Sequence, residues 1–351
     1  MNDQSSEQPN PGYYWLATDE EAAQVASHLG ISLAPSDAKQ ISGSYSRIFR
    51  FGGDGNEQRV LKIRARWMTE GRLRFEHALA GHLRDSGLPF VAPLADERGS
   101  TWANVGELYC EITPYVDGRA ASPALADVHL MGELLGHFHR SSREFDSGAY
   151  EQPYFQNQAE PQELEPEVGQ LLRQTSEMQT EDAERIRALC ARWKEMVDSY
   201  QGPNVSSLPR VLRDGDFHPW NLLFSRTESR SIVALFDLDM AAPGPRIYDI
   251  SYAIHMLRGL FIGWNVENWD TRYREFIKSY METDCVPLGE EEIAVVPLQI
   301  ELIALGFLAR TAADVGFQSA ADEYEKYIAV VDWLKTWRPE LTRILRSEGL
   351  L

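Results

Sequence analysis

Cysteine is scarce. Only Cys110, Cys190 and Cys285 occur in 351 residues, odd in number and far apart, with no Cys-x-x-Cys pair. That excludes a disulfide framework and a cysteine zinc site, and it fits a reducing, cytoplasmic setting. Basic residues are also in deficit: 34 Lys and Arg stand against 53 Asp and Glu, a formal charge of −19. Nucleic acid and anionic membranes are therefore poor candidates for partners. No apolar run approaches the roughly 20 residues of a spanning helix. Met1 to Pro11 lacks a basic start and an apolar stretch, so a signal peptide is not expected and a short disordered tail over 1–11 is. There is no internal repeat and no low-complexity tract.

What remains is ordinary globular material, 43% hydrophobic and 25% charged, long enough for two domains or one domain of two lobes. Its charge is uneven. Ile41 to Phe90 carries nine basic and five acidic residues, a surplus of +4, which leaves −23 on the rest. The basic segment suits an anionic ligand and the acidic remainder a cationic one. Thr18 caps an expected helix over Asp19–Leu29. Ser44–Phe51 and Arg59–Ile63 flank a Gly-Gly-Asp-Gly-Asn turn and read as a hairpin. Glu70–Leu83 is helical by pattern. Val91–Leu94 and Glu107–Tyr115 are strand candidates. After Gly118 the period becomes helical over 125–138 and 186–200. Short apolar runs at Val211–Leu212, Leu222–Phe224 and Ile232–Phe236 interrupt it, and helix resumes from Ile247 to Trp337. The expected architecture is α+β and bilobal: a small antiparallel-sheet lobe over 12–117, a mainly helical lobe over 118–351, a hinge near Gly118 and a ligand cleft between the lobes.

The densest chemistry lies in Arg213-Asp214-Gly215-Asp216-Phe217-His218-Pro219-Trp220-Asn221, followed by Phe236-Asp237-Leu238-Asp239. Asp216, Asn221 and Asp237 sit at apolar strand ends, where a carboxylate needs a partner or a metal. Two carboxylates and an amide carbonyl offer hard oxygens suited to Mg²⁺. A plain polar turn does not account for all three.

This string resembles the aminoglycoside phosphotransferase-type kinase family, which includes choline kinase and homoserine kinase type II-like members. Its signature is His-Gly-Asp, then His-Pro and Asn, then Asp-x-Asp. The resemblance implies a protein-kinase-like fold and ATP- and Mg²⁺-dependent phosphoryl transfer to a small-molecule hydroxyl. It implies Asp216 as the catalytic carboxylate and Asn221 and Asp237 as Mg²⁺ ligands. Asp239 completes the Asp-x-Asp. Asp249 matches a position that braces the catalytic loop, and His218 supports it. The family's usual His two before the catalytic Asp is Asp214 here, which suits either a different hydrogen bond or altered chemistry.

The same resemblance assigns ATP to the first lobe. Strand alternation puts Val60 and Lys62 on one face, so Val60 would pack on adenine and Lys62 reach the phosphates. On the following helix Glu76 falls inside an apolar stripe with Leu73, Ala80 and Leu83, so it needs a cation, and Lys62 is the expected one. Gly43 and Ser44 lie where the family covers the phosphates. Pro114, through its carbonyl, and Val116, through its N–H, lie where the family binds adenine. The acidic second lobe suits an amine-bearing acceptor such as an aminoglycoside, an amino alcohol or homoserine. Trp264, Trp269 and Tyr273 are candidate pocket aromatics, with core packing the more ordinary role for such spacing. Two other readings stay open: a stress-response-type protein Ser/Thr kinase, and a nucleotide-binding pseudokinase without turnover.

Overall fold

The computed structural model describes residues 16–34, 37–41, 46–52, 58–148, 161–199, 207–227, 230–260, 268–284, 286–314 and 317–349. Gly43, Ser44, Trp264, Cys285 and the 1–11 segment lie outside the described residues. The chain divides into two compact units, Met1–His77 with Val91–Val116, and Ala78–Phe90 with Asp117–Leu351. The main division falls one residue before the expected boundary, and 78–90 groups with the second unit.

In the first unit, helix α1 (Asp19–His28) starts at a capping box, with the Thr18 hydroxyl accepting from the Glu21 N–H and Glu21 accepting from the Thr18 N–H. Five antiparallel strands follow: β1 (Ala38–Ile41), β2 (Arg47–Phe51), β3 (Arg59–Ile63), β4 (Ala103–Val105) and β5 (Leu108–Pro114). Their order is β1-β2-β3-β5-β4. Apolar residues on one face, Phe49, Leu61, Ile63, Leu108 and Cys110, close a core with Ala22 and Val25 of α1. Helix α2 (Glu70–Asp85) begins in this unit. The strand expected at Val91–Leu94 is absent. Pro93 has no N–H to offer a ladder, and the segment is irregular, tied by the Leu94 N–H to the Ile112 carbonyl.

The second unit is mainly helical: α3 (Leu125–Ser142), α4 (Glu165–Thr175), α5 (Glu181–Ser199), α6 (Ile247–Leu260), α7 (Trp269–Asp284), α8 (Glu290–Asp314) and α9 (Phe317–Gly349). Gly132 and Gly136, one turn apart on α3, lie against the α7 backbone. A Cβ on Gly132 would fall 2.3 Å from the Phe276 carbonyl, so only glycine permits this approach. One sequence expectation needs correcting. Glu290–Ala312 is long and apolar enough to cross a membrane, but 83% of its most apolar window is buried in the protein, as in a core helix.

Two short ribbons position the candidate site. β6 (Arg210–Arg213) pairs with β9 (Ala242–Pro245), and β7 (Leu222–Phe224) pairs with β8 (Ile232–Leu235). Arg213 lies opposite Ala242 and Leu222 opposite Leu235. The segments 214–221 and 236–241 therefore leave paired strand ends together, and Phe236 meets Asn221.

Candidate active site

The 214–221 segment is shaped by its own backbone chemistry. Gly215 has φ +83°, a turn that glycine adopts without penalty. Pro219 opens a single 3₁₀ turn, and His218 Nδ1 caps it by accepting from the Trp220 N–H at 3.1 Å. Asp249, from the first turn of α6, holds the loop from below. Its two oxygens accept from the Asp214 N–H (2.9 Å) and the Gly215 N–H (3.0 Å). His139 of α3 donates its Nε2–H to the same carboxylate at 2.9 Å, and its Nδ1 lies 2.9 Å from the Tyr280 hydroxyl of α7. His139 and Asp249 are both completely buried. Asp249 stands where the sequence suggested a brace. His139 was missed, because one histidine in an apolar helix face carries no local signal.

Asp216 is half-buried and gathers donors. Asn221 Nδ2 reaches its Oδ2 at 3.2 Å and its carbonyl at 3.1 Å; His218 Nε2 lies 3.4 Å from Oδ2; the Tyr252 hydroxyl donates to Oδ1. Burial alone would raise the Asp216 pKa, but His218 and these hydrogen bonds outweigh it and hold the carboxyl below its usual range. Burial and the Asp216 charge push the Tyr252 phenol well up, so it remains a donor. Tyr252 was also missed by sequence; its signal is the three-residue offset from Asp249, which puts both on one helix face.

Asp214 behaves differently. It is 1% exposed, its Oδ1 accepts from the Asp216 N–H at 3.0 Å, and its Oδ2 is buried with no hydrogen-bond partner among the described residues. Burial first, then the charges of Asp249, Asp216 and Asp237, raise its pKa well above the ordinary value. It is a carboxyl that favours its proton.

Across the ribbon, the Phe236 N–H donates to the Asn221 carbonyl at 3.0 Å, which seats Asp237 at the end of the ribbon beside Asn221. Asp237 has φ +67°, unusual for a residue with a side chain, and its Oδ1 accepts from the Asp239 N–H at 3.4 Å. Among the described residues no three of His, Cys, Asp and Glu cluster as a metal site. A Mg²⁺ ion takes few protein ligands and keeps water and phosphate oxygens, so that finding does not weigh against it. The Asn221 side-chain nitrogen is committed to Asp216, which leaves its side-chain oxygen Oδ1 for a cation, and the Asp237 carboxylate offers a second hard oxygen donor. The donor set fits.

The first unit holds the other expected residues. β3 alternates as expected: Leu61 and Ile63 are buried, Val60 and Lys62 half-buried. Lys62 lies opposite Glu111 in the ladder. Glu76 is 3% exposed within its stripe, and two arginines grip it: Arg64 Nη2 at 2.5 Å and Arg72 Nε at 2.8 Å. Arg64 also reaches Glu111 through Nη1 at 3.2 Å, and His77 Nε2 lies 2.7 Å from the other Glu111 oxygen. Burial opposes the Glu111 charge, but Arg64, His77 and Lys62 together pull its pKa down to about 2. Sequence reasoning missed Arg64, although strand alternation puts it on the Lys62 face. Lys62, Arg64 and Arg72 gather positive charge around Glu76 and Glu111 here, which fits an anionic ligand. Pro114 ends β5 opposite Arg59, and Val116 follows it half-buried. In the second unit Tyr273 is fully buried and packed on Trp269, Trp333 and Trp337, so it belongs to the core.

The model of the phosphotransferase enzyme family matches residues 37–282. An uncharacterized protein of Deinococcus radiodurans is 24% identical over 283 residues, 76% of this chain and 75% of its own. Among solved structures, the amicoumacin kinase hAmiN in complex with AMP-PNP, Ca²⁺ and Ami superposes with a TM-score of 0.66 at 16% identity, over 91% of this chain and 94% of its own. A microcompartment-associated aminopropanol kinase does so with a TM-score of 0.59 at 18% identity, over 95% and 99%. The fold shared with these kinases is the protein-kinase-like one.

Proposed function

Because the chain belongs to the phosphotransferase enzyme family, we propose that it moves the γ-phosphoryl group of ATP, with Mg²⁺, onto a hydroxyl of a small amine-bearing molecule. The observation that carries this reading is Asp216 itself, an ionised carboxylate held by Asn221, His218 and Tyr252. In that role Asp216 orients the acceptor hydroxyl. The acceptor oxygen bonds the γ-phosphorus, the bond to the ADP oxygen breaks, and the acceptor proton passes to Asp216. Asn221 and Asp237 would hold Mg²⁺, which when bound neutralises phosphate charge. Lys62 would contact the phosphates, within a cationic cluster that Glu76 and Glu111 keep in place.

An amine on the acceptor is supported by the charge of the chain outside 41–90, −23. It is supported again at the site, where Trp220 is 64% exposed one residue before Asn221. An ammonium can sit on an indole face beside carboxylates. The similar kinases are named for amicoumacin and aminopropanol, both compatible with that chemistry.

The test is ADP release measured over ethanolamine, 1-amino-2-propanol, kanamycin and homoserine, with 1,2-propanediol as the neutral match to 1-amino-2-propanol. Amine acceptors should turn over and the diol should not. Equal rates would remove the amine from the reading. ADP release no higher than that of a protein-free blank on every acceptor would remove the enzyme. Phosphate appearing on the protein itself by intact mass would favour the protein-kinase alternative.

A further inference from the structure

We propose that Tyr252 is a positioning residue for phosphoryl transfer: its hydroxyl holds Asp216 Oδ1 and so aims that oxygen at the acceptor. This rests on the reading of Asp216 as the catalytic carboxylate. A carboxylate offers about four lone-pair directions, two on each oxygen. On Asp216, Oδ2 faces Asn221 Nδ2 at 3.2 Å and His218 Nε2 at 3.4 Å, and is filled. Among the described residues Oδ1 receives Tyr252 alone, which leaves it one direction for the acceptor. The acceptor hydroxyl is thereby directed to Oδ1, next to the phenol.

The phenol is suited to this because its ring cannot swing. Tyr252 is 4% exposed. Its ring stacks on Tyr248 at 5.9 Å and 27°, on His218 at 6.4 Å and 29°, and meets Phe307 at 5.9 Å and 49°. A buried tyrosine hydroxyl needs a partner, and here the partner is the carboxylate. Helix α6 thus holds the loop twice from one face. Asp249 fixes the backbone of Asp214 and Gly215, and Tyr252, three residues on, fixes the side chain of Asp216. The backbone brace sets where the residue is, and the phenol sets which way its carboxylate is turned.

The test is Tyr252→Phe, which keeps the ring packing and removes one oxygen. With the acceptor that turns over best, kcat should fall about tenfold to a hundredfold, the range for a displaced reacting group. KM for ATP, KM for that acceptor and the thermal midpoint should stay near wild type. A loss spread over kcat, both KM values and the midpoint would mean a merely structural residue. Asp216→Asn is assayed beside it. If that variant keeps wild-type turnover, the reading of Asp216 fails. If it is inactive while Tyr252→Phe turns over like wild type, only the present inference fails. Infrared difference spectra on ring-labelled tyrosine settle the contact without turnover. The band lost in Tyr252→Phe should shift in Asp216→Asn, and an unmoved band would overturn the proposal.

Discussion

The two units handle buried carboxylates in opposite ways. In the first, Glu76 and Glu111 each lie against two basic side chains: Arg64 and Arg72 on one, Arg64 and His77 on the other. In the second, Asp214, Asp216, Asp237 and Asp249 crowd one another, and backbone N–H groups, an amide, a phenol and histidines take the place of cationic pairs. In the first, Arg64, His77 and Lys62 hold the Glu111 carboxyl below its usual range. The second loads negative charge into one place, and one buried member, Asp214, favours the neutral form. A surplus of fixed cations suits phosphate and a surplus of fixed carboxylates suits a metal ion or an ammonium, so each excess matches a different half of the proposed reaction.

The sharpest way to break that comparison is to remove one group from each side. Asp216→Asn should lower phosphoryl transfer by about 10³-fold while ATP affinity measured by calorimetry stays close to wild type. Lys62→Ala should do the reverse, weakening ATP about tenfold to a hundredfold, the worth of one hydrogen bond to a charged group. If Asp216→Asn were the variant that lost nucleotide, the division of labour would be wrong.

Arg64 tests the first unit alone. It is 3% exposed and bridges Glu76 of α2 to Glu111 of β5. Arg64→Ala leaves two carboxylates short of a buried partner, which should cost roughly 3–5 kcal/mol in denaturant melts. Arg64→Lys keeps the charge without the fork and should fall between. An alanine variant as stable as wild type would show that the bridge holds nothing. The same cluster predicts acid sensitivity. Glu111 is held below its unfolded value, so its contribution is present above about 4.5 and lost as pH falls toward about 2. Over that window the loss should reach about 3 kcal/mol, and Glu111→Gln should flatten it.

Much of this was readable in the residues. The Asp216–Asn221 spacing and the Asp237 that follows named one site without coordinates, because a loop and a ribbon of fixed length force them together. The Glu76 stripe was readable because helical period and burial agree. What escaped was contact between residues far apart in sequence. His139 reaches Asp249 across 110 positions and Arg64 reaches Glu111 across 47. Tyr252 looks like one more aromatic on an apolar helix. The Val91–Leu94 strand is absent for a local reason, since its apolar residues do not supply the N–H that Pro93 lacks. The positive charge that the Glu76 stripe requires includes two arginines, one of them from its own helix.

Asp214 gives the smallest effect and the cleanest sign. Its pKa is raised by burial and three neighbouring acids, so the folded protein retains a proton that the unfolded chain gives up above about 3.8. The native state binds more protons, and stability from this group falls as pH rises from that value, opposite in sign to Glu111. Asp214→Asn copies the neutral acid: Oδ1 still accepts the Asp216 N–H, and no proton need be held. That variant should keep wild-type turnover and should melt higher than wild type at neutral pH, with the gap closing as the medium is acidified toward 3.8. Asp214→Ala should lose turnover instead, because the Asp216 N–H would be left without its acceptor. Parallel stability curves for wild type and Asp214→Asn would mean that Asp214 is ionised in the fold, and the contrast between the two units would then lose its clearest member.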